Sequence, residues 1–175
     1  VRSWGWALAY VAAVWLQLTA SSLFPPGRAA PDVFLVAVIA VGLMRGLGSG
    51  LAAGLLLGLT GDLIGGRLVG LGALTLAATG ILAGLISRRV FRDNLLLVSA
   101  VALLLSVTDV GVYAVLGRAL GARFDVLRAL AAIGLPVGLY SAIAVPPVYA
   151  LGFRRLNRRE TGIPERQPLS GGDAR

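Results

Sequence analysis

Long apolar runs, each stopped by proline, glycine or arginine, are the feature that most constrains this chain. About 20 such residues in helical form match the hydrocarbon core of a bilayer. Inside that core every backbone N–H and C=O must find a partner within its own segment or on a neighbour. The pattern predicts an all-α, polytopic membrane protein with six transmembrane helices in one domain over residues 1–153. The spans are read as Trp4 to Phe24, Val33 to Met44, about Gly48 to Ile64, Leu68 to Ser87, about Leu95 to Gly117 and about Ala129 to Phe153. A secretory signal peptide is the competing reading of the first run. Against it stand a leader charged only at Arg2, the lack of a convincing small-x-small cleavage site, and the hydrophobic spans that follow. The second run is short for a crossing, so it is recruited from its flanks, shielded by neighbours, or partly re-entrant, and a short span is the reading preferred. Asp32 follows Pro31 at its start and is placed as an N-cap.

Charge then orients the spans. All 16 basic residues are arginines, the net charge is +8, and cysteine, histidine and lysine are missing from the chain. Disulfides, thiol nucleophiles, imidazole acid–base work, histidine metal sites and Schiff bases are therefore excluded, and no catalytic residue, metal or cofactor is expected. The arginines flank apolar runs and form no stripe, which argues for topology and against nucleic acid. Placing both termini in the cytoplasm puts Arg2, Arg45, Arg88, Arg89, Arg92 and every arginine from Arg154 onwards inside, leaving Arg28, Arg67, Arg118, Arg123 and Arg128 outside. That orientation obeys the positive-inside rule. Residues 154–175 read as a basic cytoplasmic tail, too polar to bury a core. Between Arg118 and Arg128, Leu120, Phe124 and Leu127 predict a short amphipathic helix on the outer surface. Pro136 and the pair Pro146-Pro147 predict a kinked last span.

Within the spans, glycine and acid carry the information. Gly50, Gly54, Gly58, Gly61 and Asp62 fall within roughly 120° of one helix face. A glycine seam admits a second backbone, and lipid leaves close packing as the main reason for helices to associate. This helix is accordingly expected at the middle of the bundle, with the seam used for helix packing or for a partner's transmembrane helix. Gly80 and Gly84 form a second close-approach pair. Asp62 lies at an unfavourable helix C-terminus, before the turn containing Gly65 and the later Gly70, and Arg67 is its nearest expected partner. On the fifth span Ser99, Ser106, Asp109 and Tyr113 share a polar stripe about 80° wide. Asp109 is roughly 21 Å from the inner end by helix rise. A central charge costs about 2.5–3.5 kcal/mol on insertion scales, against a return of about 0.6 kcal/mol from an interhelical hydrogen bond. Stability alone does not account for it, and a functional use is expected.

One assembly of motifs is specific. Pro31-Asp32 opening an apolar helix, the block GLAAGLLLGLTGDLIGGRLVGL from Gly50 to Leu71, Leu74, the stretch Gly80 to Leu85, and the Arg-Val-Phe-Arg-Asp-Asn loop together resemble the rod shape-determining MreD family. The likeness covers most of Leu16 to Asp109, and Asp32, Gly58, Asp62, Gly65 and Gly70 match the family's pattern. The resemblance implies a non-enzymatic protein of the bacterial inner membrane, acting in cell elongation and peptidoglycan synthesis. It implies the bitopic protein MreC as partner, and MreB and the RodA–transpeptidase complex indirectly. It also implies a fold similar to the substrate-binding components of energy-coupling-factor transporters, so the alternative function is a vitamin-type substrate-binding subunit.

Overall fold

The computed structural model describes residues 4–23, 30–65, 70–90, 94–121 and 125–160, all helix or short connection. The helices are α1 (Trp4–Leu23), α2 (Val33–Arg45), α3 (Leu47–Gly65), α4 (Leu71–Val90), α5 (Leu95–Ala119), α6 (Val126–Ala129) and α7 (Leu135–Glu160). A π-helical segment, Leu130–Gly134, joins α6 to α7 in one continuous rod. Among the described residues, three helices are long and apolar enough to cross a membrane: Leu47–Gly65, Leu95–Ala119 and Val126–Gly152. Three more, Leu8–Leu23, Val33–Arg45 and Leu71–Ser87, are apolar but shorter. Leucines such as Leu56, Leu63, Leu96, Leu104 and Leu151 stand exposed on the outside, where a lipid-facing surface places them.

The middle of the bundle belongs to α2, not to the glycine-rich α3. The 13 residues of α2 bury Phe34, Leu35, Val38, Ile39, Ala40, Gly42 and Leu43. Around it stand α1, α3, α4, α5 and α7. Of the three accounts of this short run, shielding by neighbours is the one seen. A helix of 13 residues is about 20 Å long, shorter than the hydrocarbon core, and both of its ends find partners within the chain. Asp32 accepts the Leu35 N–H at 3.1 Å, and Gln17 of α1 accepts the Val33 N–H at 2.7 Å. At the other end Gly46, with φ of +86°, turns the chain directly into α3 while its N–H bonds Gly42 O.

Two antiparallel pairs, α3 with α4 and α5 with α7, flank this centre, and α1 packs along α2 with Tyr10 hydrogen-bonded to Thr60 of α3. The outer amphipathic helix is corrected. Helix α5 runs on to Ala119, and only Val126–Ala129 form a further turn, already continuous with the last rod. Phe124 and Arg123 lie outside the described residues. Immediately before Pro136 the Leu135 N–H bonds Leu130 O, five residues back, so a widened turn accommodates the approach to a residue that lacks its own donor. Pro146 and Pro147 lie within α7, which continues as helix beyond residue 153 to Glu160.

Candidate functional site: the glycine seam and the buried acids

The seam of α3 is filled by α4. A Cβ built on Gly54 would lie 2.6 Å from both the Cα and the N of Ala77, and one on Gly58 would lie 2.6 Å from Gly72 O. Gly50 and Gly80 press on one another's backbones, and Gly84 presses on Gly46 and Leu47 where α2 turns into α3. Gly42 of α2 joins them, with Gly80 O 2.9 Å from a Cβ built there, so three helices cross at Gly42, Gly50 and Gly80. Gly61 stands apart and faces the ring of Phe34. Gly65 is exposed at the end of α3. Of the two uses expected for Gly50, Gly54, Gly58, Gly80 and Gly84, packing against a helix of the same chain is the one these contacts display. These glycines already hold a helix of their own chain. Gly42 was missed because it is the only glycine in α2, and its role is visible only once α4 lies beside it.

Asp62 is 2% exposed, and its carboxylate reaches across the turn to the start of the next helix. It accepts the N–H of Gly70 at 2.8 Å, of Gly72 at 3.2 Å and of Ala73 at 3.2 Å. One group therefore lies at an unfavourable helix end and a favourable one together, since the free N–H groups of α4 present positive charge to it. Arg67 lies outside the described residues, and the carboxylate is occupied by backbone donors. Two glycines permit this. Gly70 adopts φ of +98°, which L side chains rarely take, and at Gly72 any Cβ would collide with the carboxylate. Gly72 carries no periodic signal in the sequence; it sits between Leu71 and Ala73 with nothing to mark it.

The polar stripe of α5 divides. Asp109, 9% exposed, accepts the Thr79 hydroxyl of α4 at 2.8 Å. Thr75, one turn earlier on α4, lies beside the same carboxyl and donates its hydroxyl to Gly72 O at 3.3 Å. This centre ties α5 to α4. Ser99 instead bonds back to Leu95 O at 3.1 Å. Ser106 is fully buried, and its hydroxyl makes no hydrogen bond, as is also true of Ser141 on α7. Tyr113 is half-buried and engaged in an interaction of its own. Thr75 and Thr79 could have been sought as members of the site, since they are spaced one turn apart in an apolar helix and need partners in lipid.

Chemically, the centre offers a carboxyl that accepts a threonine hydroxyl from the next helix. That arrangement can hold helices together or hold a proton, but it supplies no nucleophile activated by a base. Among known proteins, the sequence model of one family, described as rod shape-determining protein MreD, matches residues 3–151. No curated protein and no solved structure matches the chain.

Proposed function

The chain belongs to the MreD family of rod shape-determining proteins, and on that premise we propose that it serves the bacterial elongation machinery as a non-enzymatic inner-membrane component. In this reading it crosses the membrane six times with both termini cytoplasmic, and residues 1–153 act as one domain with a basic tail behind it. It binds the transmembrane helix of MreC, and through it supports MreB and the RodA–transpeptidase complex in peptidoglycan synthesis and cell-shape maintenance. The observation that carries this is the family match across residues 3–151. A helical bundle with an apolar exterior supports it. Because the α3–α4 seam is filled from within, the partner helix is assigned to an outward face elsewhere on the bundle. No observation favours the vitamin-carrier reading.

The test is depletion of the protein in a rod-shaped host, with cell shape, vitamin uptake and recovery of MreC on the tagged protein followed together. Rounded cells, unchanged uptake and co-purified MreC are expected. Normal rods with lost uptake would overturn the proposal.

A further inference from the structure

Several hydroxyls along these helices turn back onto their own backbone. Thr19, Thr60, Ser99 and Thr108 each donate to the carbonyl four residues earlier, at 2.7–3.1 Å, and Ser22 and Thr75 to the carbonyl three residues earlier. Thr79 and Ser87 instead cross to a neighbouring helix, reaching Asp109 and Leu43 O. Ser106 of α5 and Ser141 of α7 do neither. Both are 0% exposed, and among the described residues theirs are the buried side-chain oxygens without a hydrogen bond. A return bond is open to each by helical spacing, to Ala102 O and to Val137 O. Both side chains are therefore turned away from their own backbone and into the interior.

The two serines stand on one seam. Gly138 of α7 faces Leu103 and Val107 of α5, and Gly134 faces Val110. Numbers thus fall along α5 as they rise along α7, and in that antiparallel register Ser106 and Ser141 lie within about one helical turn of each other. Around the wheel Ser141 lies about 60° from Gly138 and Ser106 about 60° from Leu103, on the same side of the seam. That side is the inner one. Val98 and Ala102 flank Ser106, Val137 and Val145 flank Ser141, and all four belong to the buried core. Leu103 O opens on the seam as well, 3.4 Å from a Cβ built on Gly138. Two hydroxyls and a carbonyl supply the two to four partners that an internal water requires, whereas interior sites that stay dry are apolar. In a setting this apolar, leaving both hydroxyls unbonded is the costly alternative. Asp109, the one acid of α5, follows Ser106 by a single turn.

We propose that Ser106 and Ser141 share a binding site for an internal water molecule, held in the α5–α7 seam beside Leu103 O and one turn from Asp109. The water bridges two helices whose glycines meet mainly side chains, so hydration joins this pair where direct backbone contact joins α3 to α4. The site is independent of the role in elongation and of which face takes a partner helix. The experiment compares S106A, S141A and S106A/S141A in the full chain by reversible unfolding with sodium dodecyl sulfate in mixed micelles. Either single variant strands the other hydroxyl and is expected to shift the equilibrium about fivefold toward the unfolded state. The double variant leaves nothing to satisfy and is expected within about twofold of the wild type. Hydroxyls that hold no water give the opposite sign, since each alanine then removes an unbonded group and the gains add. A second measurement uses the wild type in lipid bilayers, by water-edited solid-state NMR. Magnetisation from water is expected to reach Ser106 and Ser141 several-fold faster than the core residues Val98 and Val145. Single variants that gain stability, or a double variant that loses the sum of the two single losses, overturn the proposal. So do serine signals that build up no faster than those of the valines, and this result decides alone where a variant does not fold.

Discussion

The α3–α4 and α5–α7 pairs both carry glycines four residues apart, yet they use them differently. In α3–α4 the glycines oppose one another, and the atoms a new Cβ would meet are backbone: Ala77 N and Cα at Gly54, Gly72 O at Gly58. In α5–α7 the opposing atoms are mostly side chain and farther away. Gly134, at the end of the π-helical segment that leads into α7, faces Val110 at 3.6–3.7 Å, and Gly138 faces Val107 Cγ2 at 3.1 Å. Small-xxx-small spacing on one helix therefore only permits close approach. Close approach occurs where the facing helix also lacks side chains, because backbone cannot yield whereas a valine can change rotamer.

The largest effect expected is at the closest contact. Gly54→Leu should cost about 3 kcal/mol or more, since overpacking against backbone has no local relief; the measurement is thermal unfolding in detergent with membrane abundance. A stable, normally abundant Gly54→Leu protein would erase the distinction between the pairs.

Next comes the turn that closes the same pair. Asp62→Ala removes the acceptor for three N–H groups and should cost about 2 kcal/mol or more, with Asp62→Asn intermediate because it keeps one acceptor oxygen. Equal stability of the two variants would show that the charge, and not the acceptor, matters at the start of α4.

Asp109 joins one pair to the other through Thr79. Asp109→Asn still accepts that hydroxyl, so stability should change by less than about 1 kcal/mol. The expected outcome is normal membrane abundance with failed rescue of rod shape in depleted cells. Full rescue would reduce the carboxyl to a packing group.

The smallest effect belongs to the looser pair. Gly134→Ala places a methyl at ordinary contact distance, and unfolding should shift by no more than about 0.5 kcal/mol. A loss as large as that of Gly54→Leu would mean the two pairs are alike after all.

What was legible differs between Asp32 and Asp62. A cap whose carboxylate lies three residues before its N–H is a local pattern, and Pro31-Asp32 ahead of an apolar run displays it. Asp62 serves donors eight, ten and eleven residues later, across a turn, so no window of one helix reveals it. The nearest opposite charge in the sequence, Arg67, lies outside the described residues. Asp109 was conspicuous as an acid in an apolar span, while its companions Thr75 and Thr79 sit on a different helix. The separate amphipathic helix was misread because the alternation between Arg118 and Arg128 is shared between the end of α5 and the first turn of the last rod.

By itself the sequence determined the helical class, the membrane setting, the glycine-bearing faces and, through residues 3–151, the family. Those are properties of residue type and spacing along one strand of chain, where a 3.6-residue period and a bilayer's thickness are enough to decide. Only the tertiary structure decided that α2 is the centre, that α4 and not a partner fills the seam, and that Asp62 caps the helix after its own. Each of these depends on which backbone arrives opposite a given face, and that is set by the best mutual fit of all the helices together.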